Sequence, residues 1–586
     1  MQVTKDNLTA VLPKFMHLLQ TCDFYAFDEE MTGINVSEIQ ETITDTPEES
    51  YRAKRAAASR YNIIQVGICL FQRKREGTET STPVSYVAHP FNFVLFPNHM
   101  DDLTDVERPQ DVVLSPSSLA FLRRHDMNFQ SWVYRGMTYC NAAQEAALRQ
   151  KHEEKHGSKP KGLPCQQQRH HAQTMELLLE EEREWLNASL AAAKVLRERA
   201  QAALERARAQ QTRHPRTVEL DALMDLKQSG GREVILQPQR SKNARECLEW
   251  HMDEHYEDIF LTFRRAGGVY HGTMRALFPT ERAQLLEKER ASRDRELVDK
   301  LGFRLVFKAL VESKKPCVGH NCLADILFLL ASFDGEPPGT LPAFKHRVGH
   351  LFPMVFDTKY IATRQDLFPP ARFTAHYLGG YFDEYGFNSA CIHVSLPLGF
   401  EAYDPLTIAG GGGGGNSPTH EAGYDALLTG VLLLNLLAEV GVLDVAEAPL
   451  ALVNRLALFR SLFAIHLGED EGDEYLPQAG VLELRHENHV RTHHIDNCFA
   501  ALSIQGVTLH GIDELRTLAV LPPTWMRVCN VEGPDVEWLS TQLTSRFPQY
   551  FQATPYVAPL NSGGGKGAFR VTPVNLSRFF LRAFPR

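Results

Sequence analysis

Four carboxylates and one histidine stand in short sequence contexts that suit metal chemistry. Asp28 and Glu30 form a D-x-E triplet at the end of the aromatic run Phe24-Tyr25-Ala26-Phe27. Alternation along a strand puts both on one face, so both can reach a single divalent ion. The spacing alone says little, because Asp105/Glu107, Asp294/Glu296, Asp334/Glu336 and Asp535/Glu537 repeat it. An exposed acidic turn is the plainer reading of any one of them. Asp325 ends Cys317-Val318-Gly319-His320-Asn321-Cys322-Leu323-Ala324-Asp325, which reads as a short strand turning through Gly319 into the apolar helix that continues with Ile326-Leu327-Phe328. A charge at that place is costly unless partnered. It either caps the helix start or needs a cation. Asp425 opens the most apolar helix in the chain, five residues after His420. A lone histidine beside a loop is usually a surface residue, and His320/Asp325 has the same offset, so this spacing carries little weight by itself.

The order of the three elements changes that. D-x-E on a strand, then G-H-N-x-x-x-D, then H-x-x-x-x-D, resembles the DEDDh exonucleases, which are 3′-to-5′ nucleases on a ribonuclease H-like fold. The flanking sequence is similar to the poly(A)-specific ribonuclease family in residues 27–34, 318–325 and 420–426, with support from 64–68, 117–139 and Phe356-Asp357-Thr358-Lys359. The resemblance covers roughly residues 7–145 and 297–435.

It implies an α/β architecture: a ribonuclease H-like mixed-sheet nuclease core in residues 1–145 and 297–445, split by a helical or α+β insertion at 146–296. A small C-terminal α/β module at 446–586 stands where the family carries an RNA-recognition-type domain. Within the insertion, residues 232–263 are similar only in outline to the family's small RNA-binding domain named for its arginine and histidine. The implied chemistry is hydrolysis of a phosphodiester at an RNA 3′ end, assisted by two Mg²⁺ ions about 4 Å apart. Magnesium prefers carboxylate and water oxygens, which four acidic residues and no cysteine would supply. By the same resemblance Asp28 bridges both ions, Glu30 and Asp425 complete the nucleophile side, Asp325 holds the second ion largely through water, and His420 is the general base. The implied partner is RNA with a 3′ poly(A) or oligo(A) end, the product 5′-AMP, and the assembly a homodimer in the nucleus or cytoplasm. Two other readings stay open: a trimming nuclease that matures small-RNA 3′ ends, and a catalytically silent RNA-binding scaffold. The trimming relatives often end in a membrane anchor, which residues 577–586 do not resemble, and the scaffold would be expected to lack one of the five site residues.

Elements must be found to carry these residues. Leu8, Val11, Leu12, Phe15, Leu18 and Leu19 recur at helical spacing, with Pro13 as a possible kink. Residues 24–27, 62–71 and 84–96 read as strands, and 117–124 as a helix with Ser115 at its N-cap and Pro116 at its first position. From 174 to 211 the chain is Glu, Arg, Ala, Leu and Gln with no Gly or Pro, which predicts one long charged helix, either a solvated strut or a coiled-coil arm. A glycine run, 410–415, precedes His420 and reads as a flexible loop. Further on, 515–521 and 551–557 read as strands and 536–547 as a helix.

Composition bounds the rest. Of 586 residues, 43% are hydrophobic, which excludes a mostly disordered chain. Acidic residues outnumber basic ones 72 to 62, a formal charge of -10, so any nucleic-acid binding must use local basic grooves or metal-neutralised pockets. The ten cysteines form no C-x-x-C pair, which suits reduced thiols better than a disulfide framework or zinc ribbon. The start of the chain lacks the order of a signal peptide. The apolar stretch 426–443 is broken by Thr429, Gly430, Asn435 and Glu439, and reads as a buried helix rather than a membrane span.

Overall fold

Aromatic and β-branched residues at alternating positions build a seven-stranded sheet: β1 (Gln2–Val3), β2 (Phe24–Met31), β3 (Ile63–Arg73), β4 (Val84–Val94), β5 (Cys317–Gly319), β6 (Val355–Asp357) and β7 (Ile392–Ser395). The order is β1-β4-β3-β2-β5-β6, with β7 also paired to β4. β3 lies between β4 and β2 and is antiparallel to both, while β5 pairs parallel with β2 and β6 parallel with β5. The sheet is therefore mixed, as expected. The residues described in this computed structural model are 1–556 without 40, 43, 75–82, 98–110, 157–174, 211–214, 229, 365, 369–371, 374, 376, 405–419, 460, 462, 469–471, 476–480, 488, 513 and 522–535. The glycine run 410–415 lies outside them.

Alternation along β2 sorts its side chains between two cores. Tyr25, Phe27 and Met31 pack with Phe15 and Leu19 of α1 (Leu8–Thr21), with Tyr51 and Ala58 of α2 (Pro47–Arg60), and with Ile326 and Leu327 of α3 (Leu323–Leu329). Phe24 and Ala26 face the other way, toward Leu427, Val431 and Leu434 of α4 (Ala422–Glu439). Pro13 is accommodated inside α1. By length and composition α4 could cross a membrane, but 83% of it is buried inside the fold. The helix Pro116–Arg124 has Ser115 and Pro116 where the sequence puts them. Its cap differs from expectation, because the Ser115 hydroxyl pairs with the Ser117 hydroxyl at 2.9 Å and caps no backbone N–H.

The chain folds as two compact units, one formed by Met1–Lys151 with Leu297–Arg586 and the other by His152–Glu296. In the second unit the long charged helix spans Glu180–Gln210, and it is neither a solvated strut nor a free arm. Trp185, Leu186, Ala193, Leu196, Ala200, Ala203 and Ala207 line one buried stripe. They share a core with the helices Pro215–Gln228 and Lys242–His255 and with a three-stranded antiparallel sheet ordered Glu233–Ile235, Val269–Ala276, Ile259–Ala266. The stripe is mostly alanine, so charge dominates the composition while burial follows the 3.6-residue period.

The chain after 446 is not set apart from the sheet as its composition suggests. Leu456 and Ile465 belong to the core of β2, and Val355 N–H of β6 donates to Asn454 Oδ1 at 2.9 Å. Further on, Val481–His486, Thr492–Ala501, Thr508–Gly511, Arg516–Val520, Val536–Arg546 and Phe551–Pro555 follow β-α-β-β-α-β order, with strands arranged second-third-first-fourth. One face of that sheet places Leu482, Leu484, Ala519 and Ala553 against Phe499, Leu539 and Leu543 of the two helices. On the other face Val481 and Leu518 join the main core. An RNA-recognition sheet stacks bases on aromatic residues of its open face. Here the central positions are Val481, Glu483 and Leu518, and the two apolar ones are covered.

Candidate active site

β2 presents Asp28 opposite Gly67 and Glu30 opposite Gln65 of β3, and the pairing shifts register immediately after Glu30. Both carboxylates lie on the face that receives α4. Glycine makes that approach possible, since a Cβ on Gly67 would meet the Ala422 carbonyl oxygen at 1.8 Å and one on Gly430 would meet the Phe71 ring at 2.1 Å. Ala422 N–H donates to Gln65 Oε1 at 3.3 Å, which fixes the start of α4 to β3. Asp425, in the first turn of α4, is thereby delivered to the strand carrying Asp28 and Glu30.

Asp325 arrives from the other side. β5 ends at Gly319, Asn321 takes a left-handed conformation (φ 55), and α3 begins with Asp325 in its first turn. The turn is clamped by Asp357 at the end of β6. Its buried carboxylate accepts from the backbone N–H groups of Asn321 (2.8 Å), Cys322 (3.3 Å), Lys359 (2.9 Å), Tyr360 (3.4 Å) and Ala457 (3.0 Å). Asp357 therefore positions the loop before Asp325. His320 does not join the site: it is half-buried, its Nδ1 is 2.9 Å from the Thr358 hydroxyl, and desolvation pushes its pKa down to about 3. The five-residue His–Asp offset is thus structural in one place and different in the other.

His420 is that other place. Its backbone is left-handed (φ 68), its N–H donates to Asp425 Oδ2 at 3.2 Å, and its ring is exposed. One ligand atom each of Glu30, His420 and Asp425 lie within 4.8 Å of one another. Two residues not singled out from the sequence complete the surroundings. The His125 ring centroid is 3.9 Å from that of His420, and Phe121 meets His420 edge-on at 4.8 Å. Their i, i+4 spacing at the end of the helix Pro116–Arg124 was the available signal.

The electrostatics are those of four like charges brought close together. Each of the four carboxylates keeps an open edge while protein crowds its other sides. Asp28 is pushed well above the usual carboxylate range by burial, then by the charges of Asp425, Asp325 and Glu30. Glu30 rises for the same reasons, burial first, then Asp425 and Asp325. Burial is also the main cause that pushes Asp325 and Asp425 up to about 7. Among the described residues, no lysine or arginine is among the groups that shift these four. Four oxygen donors of one sign, beside one imidazole and without a basic partner, fit hard divalent cations. Although His420 is open to solvent on one side, desolvation against its neighbours and then the charge of His125 lower it from the ordinary histidine value, which favours a neutral imidazole able to accept a proton. Glu29, between Asp28 and Glu30, points to the opposite face. It is buried, neither carboxylate oxygen has a hydrogen-bond partner, and burial pushes its pKa far up.

The sequence has counterparts among known proteins. Residues 3–433 match the CAF1 family, described as CAF1 family ribonuclease. The chain is similar to a poly(A)-specific ribonuclease of Danio rerio, 26% identical over 459 residues, covering 75% of this chain and 60% of that one. It is similar to the poly(A)-specific ribonuclease of Homo sapiens at 25% identity, covering 75% and 62%. A pre-piRNA 3′-exonuclease trimmer of Bombyx mori is 24% identical over 369 residues, covering 62% and 58%. The chain thus spans about 60% of the length of these curated relatives. With the family's match running from β1 into α4 and enclosing every residue of the site, the chain belongs to the CAF1 ribonuclease family.

Proposed function

We propose that this chain is a 3′-to-5′ exoribonuclease that shortens poly(A) or oligo(A) ends of RNA and releases 5′-AMP. The observation that carries the reading is the convergence of Asp28, Glu30, Asp325 and Asp425 beside His420, at the meeting of β2, α3 and α4. Similarity to poly(A)-specific ribonucleases supports the choice of substrate.

In this reading Asp28, Glu30, Asp325 and Asp425 would hold two magnesium ions, with Asp28, which feels the charge of the other three, as a ligand. When bound, the ions supply the positive charge that acidifies an attacking water and steadies the leaving oxygen. His420 takes the proton of that water at the ring nitrogen lying within 4.8 Å of Glu30 and Asp425. Asp425 holds the His420 backbone through its N–H. Asp357 keeps the loop leading to Asp325 fixed throughout.

The test is to incubate the protein with Mg²⁺ and matched RNAs tailed with A, U or C, each labelled at the 5′ end. The reading expects stepwise shortening of the A-tailed RNA with 5′-AMP as product, and slower shortening of the others. Equal rates on all three tails would replace adenine selectivity with general trimming, and no shortening of any would overturn the nuclease reading. Homodimerisation is also part of the proposal, on the resemblance alone, since the apolar stripe of Glu180–Gln210 is internal. A single 66.1 kDa species across micromolar concentrations in the ultracentrifuge would refute it.

A further inference from the structure

His420 is exposed, and the contact that anchors it involves only its backbone. A histidine in that situation can sample several staggered rotamers, yet a general base must keep its ring nitrogen within reach of one water. What touches the ring comes from elsewhere in the chain. Phe121 and His125 are one turn apart at the end of the helix Pro116–Arg124, and their own rings are 4.5 Å apart. With His420 they form a three-ring cluster in which the His125–His420 separation, 3.9 Å, is the shortest.

The helix carrying these rings is tied to the strand carrying the ligands. Ser115 N–H donates to the carbonyl of Thr32, the residue after β2, at 2.8 Å. Leu122 is buried with Ile64 and Val94 of the sheet and with Trp132, whose indole N–H donates to the Leu95 carbonyl at 2.7 Å. The helix stops at His125, and Asp126 turns the chain away in the left-handed region (φ 55). His125 is therefore held at a set place relative to Asp28 and Glu30, by contacts that do not involve its ring.

We propose that His125 is a positioning residue for His420, its ring fixing the rotamer in which the His420 imidazole faces Glu30 and Asp425. The proposal rests on the reading of His420 as the general base. It asks only for a ring at 125, since the contact is ring against ring.

The experiment compares His125→Ala, His125→Phe, His420→Ala and the His125→Ala/His420→Ala double variant in the full chain, in single-turnover cleavage of an A-tailed RNA with saturating Mg²⁺. Losing the ring contact should lower the rate of His125→Ala about 3–10-fold, as ring pairs contribute, with RNA affinity and melting temperature unchanged. His125→Phe should restore most of the rate, and His125→Ala should add nothing to the loss caused by His420→Ala. A second readout needs no metal. In histidine-labelled protein the His420 ring resonance, identified by its absence in His420→Ala, should shift in His125→Ala and stay put in the remote His393→Ala.

A parental rate or an unmoved resonance in His125→Ala would overturn the positioning role. So would His125→Phe as slow as His125→Ala, or a full additional loss in the double variant. A parental rate in His420→Ala would be a different failure, sinking the general base itself.

Discussion

Gly67 of β3 touches the backbone of Ala422: a methyl group on its α-carbon would sit 1.8 Å from the Ala422 carbonyl oxygen and 2.0 Å from the carbonyl carbon. Gly67 is also the residue paired with Asp28. The absence of one side chain therefore lets the first turn of α4, with Asp425, settle over the strand that carries Asp28. Gly67→Ala must push α4 away, because the atoms it meets are backbone and have no rotamer to change. A loss of stability of about 1–3 kcal/mol is expected, as for other overpacked cores, together with a larger loss of cleavage than of RNA affinity. Urea unfolding and single-turnover kinetics on the same preparation would check both. An active, parent-like Gly67→Ala would mean that α4 approaches less closely than described.

Replacing His420 by Ala should reduce turnover about 10²–10⁴-fold, the usual contribution of a general base, and leave metal affinity largely intact. Asp28→Ala should be worse, because Asp28 lies among the other three carboxylates and its loss empties a shared position. Calorimetric titration with Mn²⁺ distinguishes the two variants. Weakened metal binding is expected for Asp28→Ala alone.

Glu29 gives a pH prediction with a definite sign. Burial raises its folded-state pKa well above 4.5. The stability it contributes is fully present below pH 4.5 and is lost as pH rises through the raised folded value, at up to about 1.4 kcal/mol per pH unit. Glu29→Gln removes that loss. The variant should melt above the parent at pH 8, with the gap closing toward pH 5, in thermal unfolding monitored by circular dichroism. A gap that widens on acidification would contradict the buried, unpartnered carboxylate.

Asp357 should matter through the loop before Asp325, since its carboxylate serves five backbone N–H groups. Asp357→Ala leaves those donors buried and unpaired, at about 1–3 kcal/mol for each that finds no water. The variant is expected to be strongly destabilised by urea titration and to lose metal affinity at pH 7. Parent-like behaviour in both would show that the clamp does not hold the site.

The candidate site residues were legible through the order of three motifs and the family resemblance it carries, each motif being weak by itself. A strand's alternation puts Asp28 and Glu30 together, and an apolar helix following an acidic residue marks Asp325 and Asp425. Much of the framework was legible through local patterns, from the β2 run to the helix at 536–547, which the structure has as Val536–Arg546. The supports were not. Gly67 stands opposite Asp28 through a cross-strand register, and it meets Ala422 across 355 positions of chain (422 − 67), neither of which a local pattern carries. His125 looks like any exposed residue at a helix end until the chain near 420 is folded against it. The buried stripe of Glu180–Gln210 was hidden because its core positions are mostly alanine, which composition reads as helix propensity and not as packing. The C-terminal sheet is a like case, for only in three dimensions are Val481 and Leu518 seen to be covered.

The central claim is that the four carboxylates share two divalent ions. The most direct measurement is anomalous diffraction from crystals of the full chain soaked in Mn²⁺. Two peaks about 4 Å apart are expected, one between Asp28, Glu30 and Asp425 and the other between Asp28 and Asp325. A single peak held by Glu30, His420 and Asp425 with Asp28 unliganded, or no peak among these residues, would contradict it.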